Sequence, residues 1–280
     1  MFPDATKIDL LDVPGGCLYY EARGSGPVLL AIPGGPSDAA VFAPLAALLA
    51  SRYTVVAYDP RGNSRSKVDG PPTDQDLDLH GDDAAHLLAS LGSEPAYVLG
   101  SSGGAQIGLD LAARYPERVA ALVAHEPPCV SLLPDAGTQR AFFAEVHDLH
   151  RREGVQPAMR RFAAGTGAID QAGRPPPPPA TPADEAAGRI AGNLPFFLEH
   201  GMVPLASYQP DVEALKRSAV RVVVAVGESS GGQLAHRSAL ALAGRLGVDP
   251  VVFPGGHIGY VTHPEAFAAA LDAALRPQGR

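Results

Sequence analysis

In the stretch Tyr97-Val98-Leu99-Gly100-Ser101-Ser102-Gly103-Gly104-Ala105, an apolar strand pattern runs into Gly100 and a helical pattern leaves Gly104, so Ser102 falls at the corner between them. The spacing Gly100-x-Ser102-x-Gly104 surrounds that hydroxyl with small residues, which lets a strained turn push it clear of the backbone. An ordinary glycine-rich strand-to-helix loop has the same look, and what separates the two is a base for the hydroxyl. Serine is a poor nucleophile at neutral pH until a general base takes its proton, and histidine is the side chain suited to that task. His80, His86, His147, His150 and His200 fall on helical patterns, where a solvated or core imidazole is the plain reading. His125 and His263 fall in loops without flanking glycines, whereas His257 follows Pro254-Gly255-Gly256 in the turn after the last apolar strand. The chemistry these two residues could perform is nucleophilic attack by Ser102 with His257 as base.

The elements needed to position them follow in order along the chain. Ile8 to Leu11 and Cys17 to Glu21 alternate around Pro14-Gly15-Gly16 as a hairpin. Val28 to Ile32, Tyr53 to Tyr58, the strand entering Gly100 and Val119 to Ala124 are short apolar runs of the kind buried on both faces. Ala39 to Leu49, Asp76 to Leu91 and Ala105 to Tyr115 are helical patterns between them. Such alternation predicts a mostly parallel sheet with helices on both faces, whose ligands bind at the carboxyl ends of the strands. From about 130 to 218 the alternation stops: Gln139 to Glu153, Gln156 to Ala164 and Ala183 to His200 are helical, and the prolines Pro175 to Pro179 read as a stiff spacer. This segment is expected to be an inserted helical cap, with 1–129 and 219–280 forming the core. Arg221 to Val226, Gln233 to Leu246, Val251 to Phe253 and Ala266 to Leu275 resume the alternation.

The 280 residues suffice for one α/β domain with an insertion. A net charge of −8 disfavours nucleic acid and anionic membranes, which are bound through clustered Lys and Arg. The start Met1-Phe2-Pro3-Asp4 lacks the basic and apolar regions of a signal peptide, and no uninterrupted apolar window reaches the ~18 residues of a membrane span. A cytoplasmic protein with a small-molecule substrate is expected. Cys17 and Cys129 are too few for a disulfide framework and read as buried thiols. Neither a metal nor a nucleotide motif is present, so no cofactor is expected.

Four signals together resemble the α/β-hydrolase fold, in its small capped form: Pro33-Gly34-Gly35-Pro36 after the third strand, Asp59-x-Arg61-Gly62 after the fourth, Gly100-x-Ser102-x-Gly104 after the fifth and Pro254-Gly255-Gly256-His257 after the last. The resemblance spans nearly the whole chain except the cap. It implies an oxyanion hole built from the backbone N–H of Gly103 and a second from Gly35. Members of the family often carry histidine where this chain has Pro33, a change that leaves backbone donation from Gly35 intact. Asp59 and Arg61 read as a loop pinned by a charged pair.

The third member of a triad is the open question. Where the resemblance implies an acid after the strand Arg221 to Val226, the chain reads Gly227-Glu228-Ser229-Ser230, with serine at the expected carboxylate position. Without an orienting acid the histidine tautomer is unset, at a cost of ~10⁴ in kcat. The favoured reading moves the acid to Glu126, at the end of the preceding core strand, as some capped members of the fold do. Glu228 is the alternative acid, and a Ser–His dyad or lost catalysis is the third reading.

Taken together these residues predict a cofactor-independent serine hydrolase acting on a carboxylic ester or lactone. A prolyl aminopeptidase is the hydrolytic alternative, since Gly34-Gly35-Pro36 is similar to that family, although the cap shows no clear acidic cluster. A lyase or cyclase in small-molecule biosynthesis, or a protein that only binds a small apolar ligand, would use the same fold. Phe142, Phe143, Phe162, Phe196, Phe197, Met202 and Tyr208 are the cap residues available for an apolar pocket, helix packing being their other use.

Overall fold

The structure, a computed structural model, describes residues 5–167 and 182–276. The proline run Pro175–Pro179 lies outside the described residues. Strands β1 (Lys7–Val13) and β2 (Gly16–Gly24) pair antiparallel around Pro14 and Gly15, and β2 pairs antiparallel with β4 (Thr54–Tyr58). From β4 onward every pairing is parallel: with β3 (Val28–Ile32), then β6 (Ala96–Ser101), β7 (Val119–His125), β8 (Arg221–Gly227) and β9 (Val251–Phe253). A two-residue strand, β5 (Lys67–Val68), pairs with β2.

Strand β3 shows why the apolar runs are continuous rather than alternating. Successive side chains point to opposite faces of a sheet, and here both faces are covered. Leu29 and Ala31 join a cluster with Phe42, Leu45, Phe267 and Leu271, on the side of helices α1 (Ala43–Leu49) and α11 (Pro264–Leu275). Leu30 and Ile32 join Leu87, Leu109 and Leu242, on the side of α2 (Leu77–Leu91), α3 (Gly103–Arg114) and α9 (Leu234–Leu246). Alternation would have exposed one of these faces to water, and the uninterrupted apolar sequence excludes that.

Between β7 and β8 the chain runs through α4 (Ala136–Glu153), α5 (Val155–Thr166), α6 (Pro182–Phe196), a π-helical turn (Phe197–Gly201), α7 (Met202–Ser207) and α8 (Val212–Arg217). They share an apolar cluster with Val130 and with Leu234 of α9, which includes Phe143, Val146, Phe197, Leu198 and Met202. A single turn, α10 (Gly259–Thr262), follows β9.

Two helical stretches differ from the sequence pattern, each at a proline. The stretch Ala39 to Leu49 divides into a 3₁₀ turn, Ala39–Phe42, and α1, because Pro44 at the start of α1 has no N–H to continue a single helix. The stretch Ala183 to His200 breaks after Phe196 into the π-helical turn, directly behind Pro195 inside α6. His125 is the last residue of β7, not a loop residue. Of the two thiols Cys129 is buried and Cys17 is half-buried. No helix among the described residues is long and apolar enough to cross a membrane.

Candidate active site

The parallel register sets Ile32 beside Gly100, Ser101 beside His125, and His125 beside Ala225, so the carboxyl ends of β3, β6, β7 and β8 lie side by side. Ser102 leaves β6 at that edge with φ 55° and ψ −125°, a positive φ that costs a residue with a side chain on the order of 1–3 kcal/mol. The turn is held from both directions. The Ser102 N–H donates to the His125 carbonyl at 2.9 Å, and the Ser102 carbonyl accepts from the N–H of Ala105 at 2.9 Å and of Gln106 at 3.3 Å. Two glycines are required by close approach. A Cβ on Gly104 would overlap the Ile32 carbonyl oxygen, and one on Gly34 would lie 2.7 Å from both the Gly103 nitrogen and the Ser102 Cβ. The turn and the Pro33–Pro36 loop therefore pack backbone against backbone.

His257, half-buried in the turn after β9, has its Nδ1 at 2.7 Å from Oε2 of Glu126. Glu126 is fully buried directly after β7, with φ 48°, and its N–H donates to the Ala225 carbonyl at 2.9 Å. That unusual conformation turns the carboxylate across the end of β8. There Oε1 accepts from the N–H of Gly227 at 2.9 Å and from the Ser230 hydroxyl. Burial by itself would raise the Glu126 pKa; the hydrogen bond and charge of His257, the nearby His125 and the Ser230 hydroxyl outweigh it and hold the group at about 2. Glu126 is thus an ionised carboxylate whose lone pairs are engaged.

Glu228 is exposed, and its backbone N–H goes to the Phe253 carbonyl. Of the two carboxylates available to the histidine, only Glu126 contacts it. Ser230, at the position where the resemblance implied an acid, serves that acid as hydrogen-bond donor. Its position was the signal that could have found it, since a residue placed there points towards the histidine and whatever orients it.

Ser102, His257, Gly35 and Gly103 line one cavity. Its walls are Phe143 of α4, Phe162 of α5, Phe197 of the π-helical turn, and Met202 and Leu205 of α7. Of the other residues the sequence offered for this role, Phe142 packs on Phe143 and under Arg161, and Phe196 packs on His200 and against Gly62. Tyr208 lies outside the cavity lining, its carbonyl receiving the Ser131 hydroxyl. Asn63, which sequence reasoning passed over, donates its amide to the carbonyls of Gly35 and Ser37 at 2.9 Å each and so fixes the loop carrying the Gly35 N–H. Asn193 of α6 reaches the same loop at the Pro36 carbonyl, 2.8 Å away.

Asp59 and Arg61 are not a pair with each other. Asp59 takes a two-point contact from Arg65, at 2.8 and 2.9 Å, and also accepts from the N–H of Ala39. Arg61 is held by Asp83 of α2 and by the carbonyls of Pro14 and Gly15. Both partners come from outside the four-residue motif, so its local spacing carried no sign of them.

A half-buried strand-turn-helix serine and a histidine share one cavity at the carboxyl edge of a mostly parallel sheet, and comparison with known proteins places the chain. A family model described as alpha/beta hydrolase fold matches residues 27–165. The chain is 36% identical over 274 residues, 96% of each chain, to an uncharacterized hydrolase of Bacillus subtilis (strain 168). It is 31% identical over 278 residues, 93% of this chain and 92% of the relative, to the 2-(acetamidomethylene)succinate hydrolase of Mesorhizobium japonicum. The crystal structure of a hydrolase from Pseudomonas aeruginosa PA01 superposes with a TM-score of 0.75 at 22% identity, covering 96% of this chain and 98% of that one. The chain belongs to the α/β-hydrolase fold family, and the two relatives named here are hydrolases.

Proposed function

We propose that the protein is a serine hydrolase acting on a carboxylic ester or lactone. The observation that carries this reading is the meeting, on one cavity, of a strained-turn serine and a histidine whose Nδ1 is engaged by a buried carboxylate at 2.7 Å. With Nδ1–H donated to Glu126, the lone pair on Nε2 is free to take the Ser102 proton, and the carboxylate offsets the charge of the imidazolium that forms. Ser102 Oγ bonds to the carbonyl carbon, and the carbonyl oxygen becomes an oxyanion facing the N–H groups of Gly35 and Gly103. Collapse breaks the bond to the leaving oxygen, which takes its proton from His257. Water, deprotonated by the same histidine, then releases the acid and restores Ser102.

Residues 130–218 are read as a lid over a core of 1–129 and 219–280, with α4, α5 and α7 supplying the cavity's apolar walls. Among the described residues lining the cavity no carboxylate stands ready to hold an amino terminus, which favours an ester or lactone over an aminopeptidase substrate. The succinate derivative for which one relative is named is a dicarboxylate, and no Lys or Arg stands among the same lining residues to receive it, so that substrate is not carried over. The test is hydrolysis of p-nitrophenyl esters of increasing acyl length by the wild type and Ser102→Ala, together with labelling by a fluorophosphonate. Turnover and labelling by the wild type and neither by the variant are expected; an inert, unlabelled wild type overturns the reading.

A further inference from the structure

We infer that the cavity selects an uncharged, apolar acyl compound and rejects the same compound carrying a carboxylate. This rests on the ester or lactone reading for the chemistry, but its own observation is the charge pattern of the cavity. Among the described lining residues the side chains are aromatic, aliphatic, hydroxyl or amide, apart from His257 itself. Three arginines of the described helices are committed to carboxylates: Arg161 of α5 to Glu145 at 2.7 and 3.0 Å, Arg237 of α9 to Asp135 at 2.8 Å, and Arg189 of α6 to the buried Asp38 at 2.7 Å. One place in the cavity favours negative charge, where the Gly35 and Gly103 N–H groups meet the start of α3, and the reaction needs that place for the oxyanion. A carboxylate elsewhere in the cavity would lose its water and gain no partner, a cost that apolar contacts with Phe143, Phe162 and Met202 do not offset. The polar side chains on the lining away from the reacting groups, Thr166 and Gln233, are neutral, and the Thr166 hydroxyl is already donated to the Phe162 carbonyl at 2.9 Å.

The experiment separates binding from turnover. Ser102→Ala is titrated with phenyl hexanoate and with the monophenyl ester of adipic acid, which has an acyl chain of the same length ending in a carboxylate, and the wild type is assayed for hydrolysis of both. The neutral ester is expected to bind at least about a hundredfold more tightly. Thr166→Arg, or Gln233→Arg should the first variant fail to fold, introduces a cation at the cavity wall and is expected to narrow that ratio about tenfold or more. Equal or tighter binding of the carboxylate ester, or no binding of the neutral one, overturns the inference. Selective binding of the neutral ester with no hydrolysis of either leaves the ligand class standing and overturns the hydrolase reading. Equal hydrolysis of both does the reverse.

Discussion

Oε2 of Glu126 lies 2.7 Å from Nδ1 of His257, and its other oxygen takes the N–H of Gly227 and the hydroxyl of Ser230. The carboxylate, directly after β7, is thereby fixed at one oxygen from the end of β8 and at the other from the turn after β9. Ser230→Ala removes the neutral donor and leaves the histidine contact. The expected result is a folded protein whose kcat falls about tenfold, from the loss of a hydrogen bond to a charged group. Its Glu126 pKa rises from about 2, because the hydroxyl favours the ionised carboxylate. Steady-state kcat and an NMR titration of the carboxyl in both proteins measure the two effects.

Two buried histidines lower stability as the pH falls above the range of Glu126, and Asp110, which burial raises from 3.8 to about 6, opposes them with the opposite sign. Burial lowers His80 and His125 from 6.5 to about 4. Between those values the unfolded chain binds protons that the folded chain refuses, so stability falls as pH drops from 6.5 to 4, by up to about 1.4 kcal/mol per pH unit for each histidine. Glu126, lowered from 4.5 to about 2, extends the loss below pH 4.5. His80→Leu is expected to remove one histidine's share, up to about 1.4 kcal/mol per pH unit, from the slope between pH 6.5 and 4 in urea unfolding experiments; an unchanged slope contradicts it.

Gly104 and Gly192 make opposite predictions for the same substitution. A Cβ on Gly104 overlaps the Ile32 carbonyl, and neither backbone can move without disturbing the turn at Ser102, so Gly104→Ala is expected to cost about 3 kcal/mol or more. Gly192 is exposed within α6 with nothing within 4 Å of the added carbon. Gly192→Ala is expected to stabilise by about 0.5–1 kcal/mol. Thermal unfolding of the two variants decides both.

Asn193 ties α6 to the loop that carries Gly35. Its amide donates to the Pro36 carbonyl and the Ser64 hydroxyl and accepts from the Ser64 N–H, all at 2.8 Å, with the Arg189–Asp38 pair one helical turn away. Asn193→Ala is expected to lower kcat/KM about tenfold and to speed proteolysis within α6, both through loosening of the helix against that loop. Limited proteolysis beside a steady-state assay reads the two effects.

Strand Val28–Ile32 has the boundaries its apolar run predicts, because burial on both faces writes itself into nearly every residue; Val251–Phe253 keeps its boundaries too, although Val251 and Val252 are exposed. The corner at Ser102 was readable for the same kind of local reason, small residues where backbones must touch. The choice between Glu126 and Glu228 was not local. Each follows a core strand, and what separates them is the positive φ at Glu126 and the Gly227 N–H that receives its carboxylate. The partners of Asp59 and Arg61 were hidden likewise, since Asp83 reaches Arg61 from a helix and Arg65 returns to Asp59 only once the loop has folded.

The most direct test of the proposed triad compares Glu126→Gln with Glu228→Gln in hydrolysis of a p-nitrophenyl ester, with folding verified for both. Glu126→Gln is expected to lose about 10³–10⁴ in kcat, because the histidine loses the carboxylate that sets its tautomer and stabilises its charged form. Glu228→Gln is expected to retain wild-type activity. An active Glu126→Gln beside an inactive Glu228→Gln contradicts the assignment of the acid to Glu126.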